Sequence, residues 1–259
     1  MANRKTVMAV GGIGVGKTLQ FLTLPGKKFA YLFDPNAVDQ LRHSDVDCEE
    51  FVPDVTDIDL AVKTLKKGVE DKSAFKKQPT TYVEWEEDFE KKLTAKFFDK
   101  YDWVMMDSHT TFSEIVMDRV QFLNGRLGKQ PEQADWAAEM NVCKNVYRVM
   151  STMSGLYVTV HTESYRDELT GKVSGKLIMT GRSRFRIPLR FAHIFGFKTD
   201  SDAKGNPQWL MRTTVDREFN TIRTSIRDLA PEEDVTLDFK KPLEGQGLGG
   251  ILERAYGPE

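Results

Sequence analysis

The chain reads as an α/β protein, with a mostly parallel central sheet flanked by helices and a β-rich C-terminal part. Two observations predict this. Short apolar runs alternate with helix-period segments from Lys5 to about residue 161, the rhythm of strand–helix–strand units, and later runs read as antiparallel strands. A glycine-rich stretch, GGIGVGKT, stands between the first strand and the first helix. The 259 residues allow one or two domains. There is no evident linker, repeat or low-complexity tract. The expectation is one domain, with a helical insertion at about 70–100 and a tail from about 230.

The elements follow in order. KTVMAV (Lys5 to Val10) is a short buried strand, and Thr18 to Leu22 starts a helix. KFAYLF closes at Asp34-Pro35, a turn signal. Glu49 to Val52 reads as a third strand, and Ile58, Ala61, Val62 and Leu65 stand at helical spacing within Asp57 to Val69. Asp71 to Pro79 is polar and loop-like. Glu84 to Lys100 is charged with sparse apolar residues, an exposed amphipathic helix. Trp103 to Met106 is a strand ending at Asp107, and Phe112 to Val120 marks a helix. Trp136, Met140, Cys143, Tyr147 and Met150 form a helical stripe facing the core. LYVTV ends at His161. Arg166 to Thr180 suggests a hairpin around Thr170-Gly171. His193 to Lys198 and Trp209 to Val215 are later strands, and ILERAY is a short terminal helix.

Composition excludes several classes. The 37 Lys and Arg against 39 Asp and Glu leave a charge of −2, so the chain is no simple polybasic binder, though a local basic face remains open. Cys48 and Cys143 make a disulfide framework unexpected and read as inert. The N-terminus shows no signal peptide pattern, and no apolar run approaches a membrane span of about 18 residues. The expectation is a cytoplasmic protein with no membrane partner. The 4 His and 2 Cys show no metal-ligand spacing.

GGIGVGKT matches G-x-x-x-x-G-K-[ST] in full. Gly11, Gly12, Ile13, Gly14, Val15, Gly16, Lys17, Thr18 and Leu19 are therefore candidate nucleotide-binding residues. Glycines bring backbone amides close to an anion, and the following helix start favours negative charge. Lys17 reaches for β- and γ-phosphates. Thr18 offers a hydroxyl to Mg²⁺. A carboxylate at a strand end should complete the metal shell, and Asp107 in YDWVMMDS takes that part. Asp102, at the other end of the strand, reads as solvated. His109 reads as a surface-loop residue. No Asn-Lys-x-Asp guanine motif and no Ser-Gly-Gly-Gln signature occur, which sets Ras-type GTPases and ABC ATPases aside.

GGIGVGKT, YDWVMMDS, LYVTVHTE and IPLRFAHIFGF, in this order, resemble the RecA-like phage nucleotide-binding proteins, the group that includes ATP-dependent single-strand annealing proteins of phage recombination. The resemblance covers Lys5 to Leu229. It implies a RecA-type core, ATP and Mg²⁺ as cofactors, and ATP hydrolysis coupled to single-stranded DNA. It also implies a ring or filament of identical subunits, with a single-strand-binding protein as a possible partner, in the host cytoplasm if phage-encoded. His161 or Glu163 would sense the γ-phosphate. A polar group at that strand end faces the pocket on general grounds too. The family orients water with a Glu near the end of the second strand, whereas this chain has Asp34, which could polarise water slowly or cap the Pro35 turn. Glu114 and Glu163 are weaker candidates for that role.

Leu169 to Thr199 carries seven Lys or Arg after Glu168 and before Asp200, with no acid. Arg182, Arg184, Arg186 and Arg190 are the candidate DNA-binding residues, with Phe185, Phe191, Phe195 and Phe197 interleaved. The last three phenylalanines read first as strand core. Alternating arginines would line one side of a strand, and one of these, or Arg223 or Arg227, could serve as an arginine finger. Acids cluster at Asp45 to Asp54 and at Glu84 to Glu90, read as solvated faces. A nucleotide-dependent switch or assembly factor, binding a protein partner on the acidic helix, is the alternative function.

Overall fold

A computed structural model describes residues 5–53, 78–153, 155–166, 168 and 173–257. The helix expected over Asp57 to Val69, most of the loop before Pro79, and the Thr170-Gly171 turn lie outside the described residues. The strands are β1 (Thr6–Gly11), β2 (Lys28–Leu32), β3 (Asp47–Glu50), β4 (Trp103–Asp107), β5 (Gly155–Arg166), β6 (Val173–Leu177), β7 (His193–Ser201), β8 (Pro207–Arg212) and β9 (Glu232–Asp234). The helices are α1 (Lys17–Leu22), α2 (Ala37–Leu41), α3 (Thr81–Thr94), α4 (His109–Leu123), α5 (Gln133–Met150), the single turn α6 (Ser183–Arg186) and α7 (Gly247–Tyr256).

Among the described residues the sheet runs β3-β2-β4-β5-β1-β7-β8-β9, with β6 paired to β5. β1, β2, β3, β4, β5 and β7 pair in parallel, and β6, β8 and β9 join antiparallel. This is the expected α/β class with its β-rich C-terminal part. β5 lies between the phosphate-loop strand β1 and the Asp107 strand β4. Two strand ends therefore converge on the loop, not one.

Period-2 alternation on β1 sends Val7 and Ala9 to one face and Met8 and Val10 to the other. Each face is covered. Met8 and Val10 join the cluster built by α3, α4 and α5, with Trp85, Phe112, Cys143 and Tyr147. Val7 and Ala9 join Phe21, Leu41, Leu248 and Ile251, from α1, α2 and α7. The glycines before ILERAY belong inside α7, because that helix lies against α1. A Cβ on Gly249 would stand 1.8 Å from the Thr23 carbonyl oxygen. Its N–H donates to Thr23 Oγ1 at 2.8 Å.

Several expectations are corrected. The segment read as an exposed helix buries Trp85 and Phe89 against Tyr31, Phe33 and Phe112. Two large rings one turn apart suffice to bury one side of a helix whose remaining residues are charged. Its acids are not all solvated: Lys92 pairs with Glu49 at 2.6 Å and with Asp88, joining the two acidic clusters. The α5 stripe keeps Cys143, Tyr147 and Met150 in the core, but Trp136 is 39% exposed. Asp135 and Glu139 are buried at that end instead. Polar hydrogen bonding there outcompetes the apolar ring. His109 is fully buried, its Nδ1 2.7 Å from Tyr147 Oη, not a surface residue.

Candidate functional site

β1 ends in the loop Gly11–Gly16, which feeds directly into α1. Gly16 adopts φ +84°, a left-handed turn that a Cβ would strain, and a Cβ there would also meet the Trp209 ring at 3.1 Å. Gly11 passes so close to β7 that a Cβ would stand 2.4 Å from the Phe197 carbonyl oxygen. Ile13 projects at the tip, 88% exposed. Val15 and Leu19 pack partly against the core beneath the loop. The motif is thus a backbone cradle, and Lys17 and Thr18 are its buried side chains.

Lys17 folds back. Its Nζ donates to the carbonyls of Gly11 at 3.0 Å and Gly12 at 2.6 Å. It lies 3.4 Å from His161 Nδ1. Burial pulls its pKa down to about 8, against the attraction of Asp107 and Asp34. Thr18 Oγ1 donates to Asp107 Oδ2 at 2.7 Å. Thr159 Oγ1 donates to the other carboxylate oxygen. Asp107 is 3% exposed, and burial raises its pKa even against these two hydroxyl bonds. A buried carboxylate beside a hydroxyl, with its charge disfavoured by desolvation, is a hard-oxygen pair that a divalent cation would satisfy. The residues present fit Mg²⁺, which Thr18 and Asp107 would hold.

Asp34 and His161 close the other side. Asp34 ends the β2 segment. It accepts from Ser108 Oγ at 2.7 Å and from Thr111 Oγ1, and lies 2.8 Å from His161 Nε2. Its carboxyl is held below the usual range: burial pushes upward, but hydrogen bonds from His161, Thr111 and Ser108 outweigh it. His161 thus spans Lys17 and Asp34. A ring carrying its proton on Nε2 satisfies both contacts, donating to Asp34 and accepting from Lys17. Asp34 does not merely cap the Pro35 turn.

Glu163 is exposed on β5, opposite Lys176 in the β5–β6 ladder, two residues past His161 on the same strand face. Glu114 is exposed on α4, its pKa raised by burial and by Asp118 and Asp34. Thr159, Tyr157 and Ser108 were not singled out in the sequence. Tyr157 Oη donates to the Lys17 carbonyl at 2.7 Å. Period 2 along LYVTVHTE was the available signal, since Tyr157, Thr159 and His161 share a face.

The arginine segment is not a strand. Arg182 precedes the single turn of α6, and Pro188–Arg190 forms a 3₁₀ turn, so alternation does not put the arginines on one side. Arg182, Arg184, Arg186 and Arg190 are all exposed, as is Phe185, but Phe191, Phe195 and Phe197 are core. The segment begins beside the site, where Ile178 N–H donates to the His161 carbonyl at 2.9 Å. It ends at the other end of the sheet, where the Arg190 carbonyl accepts from Thr6 Oγ1 at 3.4 Å. Arg190 follows Arg186 by one turn, its N–H donating to the Ile187 carbonyl at 3.0 Å. Arg223 donates to the carbonyls of Leu189 and Phe191, so its guanidinium is engaged within the chain.

The fold and this constellation set out the geometry of a phosphate-loop site: a strand, a glycine cradle with Lys17 and Thr18, a helix, and Asp107 at a second strand end. The chain is similar in structure to the flagellar accessory protein FlaH from Methanocaldococcus jannaschii, at 10% identity and TM-score 0.38, over 90% of this chain and 85% of that one. It is also similar to the Legionella pneumophila ATPase DotB, at 10% identity and TM-score 0.30, over 82% of this chain and 45% of that one. No family model and no curated protein matches the sequence. Among the described residues no helix is long and apolar enough to cross a membrane, and no cluster of His, Cys, Asp or Glu forms a further metal site.

Proposed function

We propose that the chain binds ATP with Mg²⁺ and hydrolyses it, and that it acts on single-stranded DNA in recombination, annealing or replication of the phage type. The observation that carries the nucleotide reading is the contact of Thr18 with Asp107 at 2.7 Å beneath a cradle whose lysine is buried among carbonyls. The metal supplies charge neutralisation at the phosphates when bound. Thr18 and Asp107 would hold it, Lys17 would exchange loop carbonyls for phosphate oxygens, and Asp34, oriented by Ser108, Thr111 and His161, would orient water. Exposed Arg182, Arg184, Arg186 and Arg190, on the segment that begins beside this end of the sheet, support the DNA reading. Assembly into a ring or filament, and a single-strand-binding protein as partner, belong to the same proposal.

The engagement of Asp34 by three side chains favours slow turnover, which suits a second reading: a nucleotide-dependent switch or assembly factor that binds a protein partner. ATPase rates with and without single-stranded DNA separate the two. Stimulation by DNA is the expected result. ATP turnover indifferent to DNA supports the switch, and wild-type turnover in Lys17→Ala overturns the site assignment itself.

A further inference from the structure

Trp136 has an unusual position for a tryptophan on a core helix. It lies in the first turn of α5, 39% exposed. It packs on the arginine turn: a Cβ on Gly181 would stand 3.9 Å from Trp136 Cβ, Cδ2 and Cε3. That contact is held by Glu139, one turn further along α5. Glu139 is fully buried and accepts from Thr180 Oγ1, from Ser183 Oγ at 3.1 Å and from Ser113 Oγ at 2.7 Å. Thr180 and Ser183 bracket Gly181 and Arg182, so the carboxylate fixes the turn against α5. Phe185 follows within the same helical turn, 63% exposed, with the Arg184 guanidinium 5.0 Å from its ring centre.

An exposed indole and an exposed phenyl ring thus stand beside three exposed arginines. The neighbouring acids are accounted for. Asp135 and Glu132 are paired with Arg126. The oxygens of Glu139 are taken by the hydroxyl donors above and by Cys143 Sγ at 3.3 Å. A cationic surface carrying two partly exposed rings, one packed on Gly181 and one beside Arg184, suits a polyanion that carries flat apolar groups, and single-stranded nucleic acid is that chemistry. Duplex DNA hides its base faces, and an acidic peptide does not bring a flat ring with every charge.

We infer that Trp136 and Phe185 form a base-stacking platform, so that the turn bearing Arg182, Arg184 and Arg186 takes single-stranded nucleic acid by its bases as well as its phosphates. This rests on the single-stranded DNA reading above. The platform lies on the nucleotide side of the sheet, since Ile178, three residues before Gly181, is bonded to His161.

The test uses the full chain, a fluorescein-labelled oligo(dT) and anisotropy titrations at several salt concentrations, with Mg²⁺ and ATP present. Trp136→Ala and Phe185→Ala are each expected to weaken binding about tenfold, the loss of one stacked base. Trp136→Phe, which keeps a ring, should stay near wild type. The salt slope should be unchanged in all three, because no phosphate contact is removed. Far-UV circular dichroism and the thermal midpoint check that each variant is folded. Equal oligonucleotide affinity in wild type and both alanine variants overturns the platform and leaves the DNA reading standing. No oligonucleotide binding by wild type overturns both. A change in solution mass in Trp136→Ala with unaltered oligonucleotide affinity overturns the platform in favour of a protein contact.

Discussion

Asp107→Asn keeps the shape of the side chain and removes its charge. In the absence of a cation the carboxylate holds the hydroxyls of Thr18 and Thr159. In the variant one of these faces an amide N–H₂ and must rotate to accept, a cost of about 1 kcal/mol. Removing a buried charge whose pKa burial has raised offsets that cost. The ligand-free melting temperature should therefore move by no more than about 2–4 °C, the shift about 1 kcal/mol produces in a chain of this size. The response to Mg²⁺ and ATP is the sharper measure. At one hundred times Kd, wild type gains about 2.7 kcal/mol, or about 5–11 °C. Loss of a carboxylate metal ligand that weakens affinity tenfold leaves about 1.4 kcal/mol at the same concentrations. Thermal shift with Mg²⁺ and ATP, against ATP with EDTA, should show the gain cut to about half in the variant. An undiminished Mg²⁺-dependent shift would refute the metal role. The pH arm has a definite sign. A carboxyl raised in the folded state contributes stability that is present at acid pH and lost as pH rises through its folded pKa. Wild type should therefore gain on Asp107→Asn as pH falls, and the opposite slope would refute the burial argument.

Four further outcomes are expected. Lys17, with its pKa lowered to about 8, is the charged phosphate ligand only below that pH, so nucleotide Kd should rise by about tenfold per unit above it. Without ligand the same depressed pKa makes wild type gain on Lys17→Met between about pH 8 and 10.5, read by urea denaturation. Trp85→Ala should cost about 3–5 kcal/mol by urea denaturation, the range for a large buried ring, whereas an exposed helix would lose under about 0.5 kcal/mol. His109 and His193 have pKa values lowered by burial to about 3 and about 4. Their stabilising contribution is present above pH 6.5 and lost as pH falls toward those values, by up to about 1.4 kcal/mol per unit each. Acid unfolding should be shallower in His193→Asn, and an unchanged slope would contradict the neutral, buried ring.

The α/β class and the phosphate cradle were legible in the chain because both rest on local rules. KTVMAV, LYVTV and the helix-period segments carry their periodicity in consecutive residues, and GGIGVGKT is a contiguous backbone device. Asp107 was legible for the same reason, as a carboxylate ending an apolar run. What failed was judgement of surroundings. His109 and Trp136 occupy positions whose burial depends on Tyr147 and Glu139, residues 38 and 3 positions away, and no local pattern reports that. The arginines alternate like a strand, yet the turn at Gly181 and the proline at 188 break it.

By itself, then, the sequence determined a strand–glycine-loop–helix unit with Lys17 and Thr18 at its turn, since glycine conformation and side-chain reach are set within a few residues. Only the tertiary structure decided which distant groups complete it. Placing β5 between β1 and β4 puts Thr159 on Asp107 and His161 between Lys17 and Asp34, and sheet order is set by packing of whole faces, which no short stretch of chain encodes.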